Sequence, residues 1–194
     1  MQNEPLSLPD FKINAVGPVS MLFINRHIMT FAEAINFIRQ LPYARNKNKE
    51  DLTTVFADNC GTCSTKHALL KQLATENGFQ GLQLILGIFK MNAINTFPVS
   101  NTLKLHKLEY IPEAHNYLKF YDLIIDATRI NSKPSDFVDD LLEEVEITPQ
   151  QITDFKVAYH KDYLSKWLAG NKNINLTLDE IWMIREQCIR DLSE

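Results

Sequence analysis

The sequence predicts an α+β fold, on three observations. Apolar residues recur at helical spacing before residue 80, short Leu- and Ile-rich runs bounded by turn residues fill the middle, and helical spacing returns after residue 134. The order is helix, helix, strands, helices, with no strand–helix–strand alternation. Helices segregated from a small antiparallel sheet define that class. The 194 residues are read as a single domain, with a core over 1–133 and a helical C-terminal extension over 134–194.

Each element has a local reason. Pro5, Pro9, Gly17 and Pro18 break any period in the first 20 residues, which are expected to be an extended lead-in. Thr30 offers a cap for a helix through "FAEAINFIRQL", and Glu33 completes a capping box. Phe31, Ile35, Ile38 and Leu41 share one face, and Pro42 stops the helix. "RNKNKE" at 45–50 is short, mixed in charge and expected to be a solvated loop. "STKHALLKQLATENG" is a second helix, with Ala68, Leu69, Leu73 and Ala74 as its apolar face and Gly78 suited to its left-handed exit. "LQLILGIFKM" reads as a buried strand. Residues 92–104 are polar, contain Pro98 and are expected to be a loop. "HNYLKFY" and "LIIDATR" are two strands joined near Asp122.

From residue 134 three helical patterns follow: "PSDFVDDLLEEVE", "TPQQITDFKVAYHKDYLSKWLAG" and "TLDEIWMIREQCIRDL". Thr148-Pro149 and Thr177 resemble helix starts. Phe155, Tyr159, Tyr163 and Trp167 recur at i, i+4 and predict a packed aromatic face.

Bulk properties narrow the function. Hydrophobic residues make up 45% and charged residues 23%, as in an ordinary globular domain. A net charge of -4 with scattered Lys and Arg gives no general affinity for nucleic acid or anionic membrane, so neither is an expected partner. No apolar run reaches the roughly 18–20 residues needed to span a bilayer. The N-terminus lacks the basic-then-apolar order of a secretory signal, so a cytoplasmic location is expected. Three cysteines are too few for a disulfide scaffold. Cys188, in the last helical pattern, reads as a small apolar filler. Nothing calls for a metal, flavin or nucleotide, and no cofactor is expected.

The chemistry concentrates in "DNCGTCSTKHALLKQL" at 58–73. A C-x-x-C pair suits thiol redox work when it joins a buried strand to a helix. Here "EDLTTVFADN" precedes it, which is a poor strand. A zinc site needs a second ligand pair, and His67, His106, His115 and His160 supply no second C-x-x-C or H-x-x-x-H. Cys60 reads as a structural thiol. Cys63 falls in the first turn of a helix, where unpaired N–H groups and the helix dipole favour a thiolate, and Gly61 permits close backbone approach. A nucleophile also needs a base and an orienting acid. His115 opens one strand and Asp126 lies in the next, an arrangement that can set both on one face.

At these residues the chain resembles the transglutaminase-like superfamily of papain-like cysteine enzymes. "GTCSTKHALLKQLATENGFQ" is similar to the family's nucleophile segment, and "HNYLKFYDLIIDATR" to its paired strands carrying His and Asp-x-Thr. The likeness covers residues 55–130. Tyr117 stands where the family commonly has Trp, "DAT" at 126–128 replaces Asp-Pro-Thr, and the long stretch 91–112 reads as an inserted loop bordering the cleft.

The resemblance implies a papain/transglutaminase-like core: a nucleophile helix on a small antiparallel sheet, with extra C-terminal helices. It implies that Cys63 is the nucleophile, His115 the base and acid, and Asp126 the residue that orients the imidazole. The expected enzyme is a Cys-His-Asp hydrolase or acyltransferase working through a thioester on a peptide, protein or small amide. The oxyanion would take the Cys63 N–H and a second donor, with Asn59 and Tyr43 as candidates. The rival readings are a non-catalytic ligand-binding module on the same fold and a thiol oxidoreductase using Cys60 and Cys63. His67, four residues after Cys63, is expected to pack or bond locally.

Overall fold

Helices and strands alternate with short turns along residues 8–192, which are the residues the computed structural model describes. Pro5 and the first part of the expected lead-in lie outside them. In chain order the elements are α1 (Pro18–Ile24), α2 (Phe31–Gln40), α3 (Thr54–Ala57), α4 (Cys63–Glu76), β1 (Leu82–Asn92), α5 (Ser100–Leu105), β2 (Tyr110–Phe120), β3 (Leu123–Ile125), β4 (Leu141–Ile147), α6 (Asp154–Gly170) and α7 (Leu178–Asp191). The four strands form one small antiparallel sheet in the order β3-β2-β1-β4. The fold is α+β. In the β2–β3 hairpin Leu118 faces Ile125 and Phe120 faces Leu123, and Tyr121 turns the chain with φ of 53°. No helix among the described residues is long and apolar enough to cross a membrane.

Elements with local signals form as expected. Thr30 accepts from the Glu33 amide and Glu33 accepts from the Thr30 amide, closing the capping box of α2. Phe31, Ile35, Ile38 and Leu41 are all buried. Gly78 leaves α4 with φ of 67°, where a side chain is strained. Thr177 and Glu180 build the same box at α7. β1 is buried at nearly every position, as its continuous apolar run requires.

Five expectations are corrected. The lead-in contains α1, which has no side-chain cap of its own. The stretch 92–104 is not a plain loop, because a short 3-10 turn runs into α5. β2 starts at Tyr110 rather than His115, with Pro112 inside it. Residues 134–146 are not helical. Two 3-10 turns lead into β4, an edge strand whose Leu141, Val145 and Ile147 follow a two-residue period. Its exposed Glu143, Glu144 and Glu146 leave a charged edge that resists further pairing. Finally, the buried face of α6 is Lys156, His160, Leu164 and Trp167, so the predicted aromatic face is rotated by one residue. Phe155 is exposed and stacks on Tyr159 instead.

Two compact units divide the chain. The first holds the described residues up to Ile85 together with Asn116–Pro134 and Glu146–Ile152. Its core joins Phe23, Phe31 and Ile38 to Leu69, Leu70, Leu73, Leu84 and Leu118. Phe11 stacks between Phe31 and Phe79, and Phe56 packs edge-on to Phe23. Glu76, the last residue of α4, supplies the missing cap of α1. Its carboxylate accepts from the Val19 and Ser20 amides at 3.1 and 2.7 Å and from the Ser20 hydroxyl at 2.7 Å. A Cβ on Gly17 would lie 2.3 Å from Glu76 Cδ, so this contact depends on glycine there.

The second unit holds Leu86–His115, Ser135–Val145 and the described residues from Thr153 onward. Leu86, Ile88, Ile111, Leu164, Ile181 and Cys188 fill its core. A buried ion pair crosses it. Arg185 Nε and Nη2 donate to the two oxygens of Glu113 at 2.7 and 2.5 Å. Burial pushes the Glu113 carboxyl up, but the guanidinium more than reverses this and leaves it below the usual range. His160, also buried, donates from Nε2 to the Pro112 carbonyl at 2.8 Å, and burial lowers its pKa. Cys188 is a filler as expected. Burial, then Asp191, pushes its thiol up to about 12.

Candidate active site

The first turn of α4 is built by three side chains. Thr62 is the N-cap, in extended conformation. Its hydroxyl accepts from the Thr65 amide, and Thr65 Oγ1 accepts from the Thr62 amide at 3.0 Å. This is a capping box with threonine where Glu is usual. Asn46 reaches in from the 45–50 loop. It donates to the Cys60 carbonyl at 2.9 Å and accepts from Thr65 Oγ1 at 2.7 Å. The loop is solvated as expected, except at this residue.

Cys63 is the first helical residue of α4 and is 7% exposed. The helix dipole at this position favours negative charge. Its Sγ lies 3.9 Å from Ser64 Oγ. Ser64 donates onward to Asn116 Oδ1 at 2.9 Å, and Asn116 Nδ2 donates to the Ile85 carbonyl at 3.0 Å. Fully buried Asn116 therefore ties the helix start to β2 at the residue after His115. Gly61 pairs in a parallel bridge with Tyr43, and a Cβ there would lie 2.9 Å from Lys66 Cγ. The close approach expected of Gly61 is thus present.

Asp126 follows β3 directly and is buried, and its Oδ1 accepts from the Thr128 amide at 2.8 Å. It also lies 3.6 Å from Nε2 of His67, which is fully buried. His67 Nε2 accepts from the Ala127 amide at 2.7 Å, so the ring proton sits on Nδ1 and is donated to the Cys63 carbonyl at 2.7 Å. His67 does bond locally, as expected. It also reaches across to the Asp126 segment, which sequence spacing did not reveal.

His115, half-buried, belongs to the second unit. Its ring packs edge-on against Phe137 at 4.8 Å and Phe89 at 6.2 Å between centroids.

The other candidates fall as follows. Asn59 is exposed and adopts φ of 52°, a left-handed turn position that Asn tolerates. Tyr43 is half-buried with the Arg129 guanidinium 4.5 Å over its ring. Cys60, Cys63 and Cys188 are thiols rather than disulfide partners. Burial, then the Asp58 carboxylate, raises the Cys60 pKa, which is the wrong direction for a reactive thiolate.

Sequence reasoning missed Asn46, Lys66 and Asn116. Lys66 is fully buried, and its ammonium donates to the carbonyls of Leu41 at 2.5 Å and Thr128 at 2.7 Å. Burial, then Arg129, brings its pKa down to about 8. A signal was available, because Cys63, Lys66, His67, Leu70 and Leu73 share one helical stripe. A lysine and a histidine inside an apolar stripe need polar partners. No protein-family model, curated protein or solved structure matches the chain.

Proposed function

We propose that this protein is a cysteine acyl-transfer enzyme of transglutaminase-like type, acting on a carboxamide or peptide carbonyl. The observation that carries the reading is Cys63 as the first residue of a capped, buried 14-residue helix. A thiolate there is favoured by the helix dipole and by local N–H groups. Asp126, buried and hydrogen-bonded beyond the end of β3, supports the role of orienting acid.

In this mechanism His115 takes the Cys63 proton, and the thiolate attacks the carbonyl carbon. The oxyanion is held by the Cys63 N–H and a second donor, Tyr43 or Asn59. The C–N bond breaks as His115 returns the proton to the leaving amine. Water or an amine then attacks the thioester, giving a hydrolase or a transferase. Asp126 keeps the imidazole in the tautomer this needs. Substrates are peptides, proteins or small amides.

The second reading is a binding module in which Cys63 is unreactive, and its near-burial favours this. The rate of iodoacetamide alkylation of Cys63 against pH, located by mass spectrometry, separates the two. The wild type should react well below pH 7 and His115→Ala should not. A Cys63 that titrates near 8.5 in both leaves the binding module as the better account.

A further inference from the structure

We infer that His67, with Lys66 beside it, is a positioning residue that fixes Asp126 relative to Cys63. This rests on the acyl-transfer reading above. The segment Asp126–Thr128 lies beyond the last residue of β3, yet all three residues are buried. Buried backbone groups outside a ladder need other partners. Here side chains of α2 and α4 supply them. Arg39 Nη2 donates to the Asp126 carbonyl at 3.1 Å. His67 Nε2 accepts from the Ala127 amide, and Lys66 Nζ donates to the Thr128 carbonyl. The Thr128 amide closes onto Asp126 Oδ1.

Two of these partners come from the turn of α4 that follows Cys63. The same imidazole that holds Ala127 donates to the Cys63 carbonyl. One rigid ring thus spans from the residue carrying the nucleophile to the residue after the acid. Both ring nitrogens are engaged with backbone groups, so His67 does not act as base toward the Cys63 thiol. Lys66 holds the far end of the segment and ties it to the end of α2 at Leu41. Keeping a charged amine at zero exposure is costly unless its hydrogen bonds are good. The two carbonyls it grips are what offset that cost. Misplacing Asp126 would weaken its hold on an imidazolium, and with it the thiolate.

The test is the pH profile of Cys63 alkylation by iodoacetamide, with thermal midpoints recorded alongside. It is run on wild type, His67→Leu, His67→Gln, Asp126→Asn and the double variant His67→Leu/Asp126→Asn. His67→Leu should move the profile up by at least about one pH unit toward the ordinary thiol value, as Asp126→Asn does. His67→Gln, which keeps an acceptor for Ala127, should retain part of the wild-type shift. The double variant should match Asp126→Asn, because the two residues act through one path. A lowered thermal midpoint with an unmoved pH profile overturns the inference and leaves the acyl-transfer reading standing. Full addition of the two shifts overturns it as well. A wild-type Cys63 that titrates as an ordinary thiol overturns both. Where His67→Leu shows no cooperative unfolding, Lys66→Met and His67→Gln are read against the same outcomes.

Discussion

A buried lysine makes a sharp prediction about pH. Lys66 has a folded pKa of about 8 against 10.5 in the free side chain. Below pH 8 it is charged in both the folded and unfolded states, and the folded state bears the desolvation cost. Between pH 8 and 10.5 the unfolded state binds more protons, so stability rises with pH over that window. The difference in pKa corresponds to a gain on the order of 3 kcal/mol. Urea unfolding at pH 7 and 10.5 should show a larger gain for wild type than for Lys66→Met. Equal gains would mean that the ammonium is solvated. At this scale the sequence pointed to Cys63 at a helix start and Asp126 in a strand, but not to the groups that satisfy them. His67 and Lys66 were visible only as anomalies in an apolar stripe. Each has one backbone partner about 60 residues away along the chain, Ala127 for His67 and Thr128 for Lys66, which no side-chain pattern encodes.

Among elements, α1 takes its N-terminal cap from another helix. It has no N-cap side chain, and Glu76 of α4 fills that place with three hydrogen bonds. Glu76→Ala should cost about 2–3 kcal/mol, since hydrogen bonds to a charged group contribute more than neutral ones. The accompanying sign is faster amide exchange at Val19 and Ser20, with the α2 amides unchanged. Uniform exchange across both helices would show that α1 is stabilised by packing alone. The contrast with α2 and α7 explains which helices were legible. Their caps lie within three residues, so the signal is local. β4 was misread for the opposite reason. "DFVDDLLEEVE" has apolar residues at helical spacing, but pairing at the edge of the sheet overrides that preference.

At the scale of the whole chain, stability should fall in acid in two stages. His160 is buried with a lowered pKa, so the unfolded state takes up its proton first. The stability it contributes is full above the unfolded value of 6.5 and is lost as pH falls through it. Glu113, also lowered, contributes stability above its unfolded value of 4.5 that disappears further into acid. Thermal midpoints measured from pH 7.5 to 3.5 should therefore decline first near 6.5 and again below 4.5. His160→Gln should shrink the first decline and leave the second in place, and a first decline as large as in the wild type would refute the assignment. Glu113→Ala should cost about 2–3 kcal/mol at pH 7, because it removes two charged hydrogen bonds from Arg185 and leaves that guanidinium to Glu186.

The sequence by itself determined the α+β class, the helices α2, α4 and α7 with the start signals of the first and last, the β2–β3 hairpin and the placement of Cys63 at a helix start. These rest on contacts between residues three or four apart, or across a tight turn, and such signals are written in adjacent letters. Only the tertiary structure decided that α1 exists, that residues 141–147 form a strand, and that the backbone of Asp126, Ala127 and Thr128 bonds Arg39, His67 and Lys66 in turn. In each case a buried backbone group or sheet edge finds its partner in a distant segment. Chain separation carries no pattern that a single sequence can display, and burial alone sets which of those partners the chain must find.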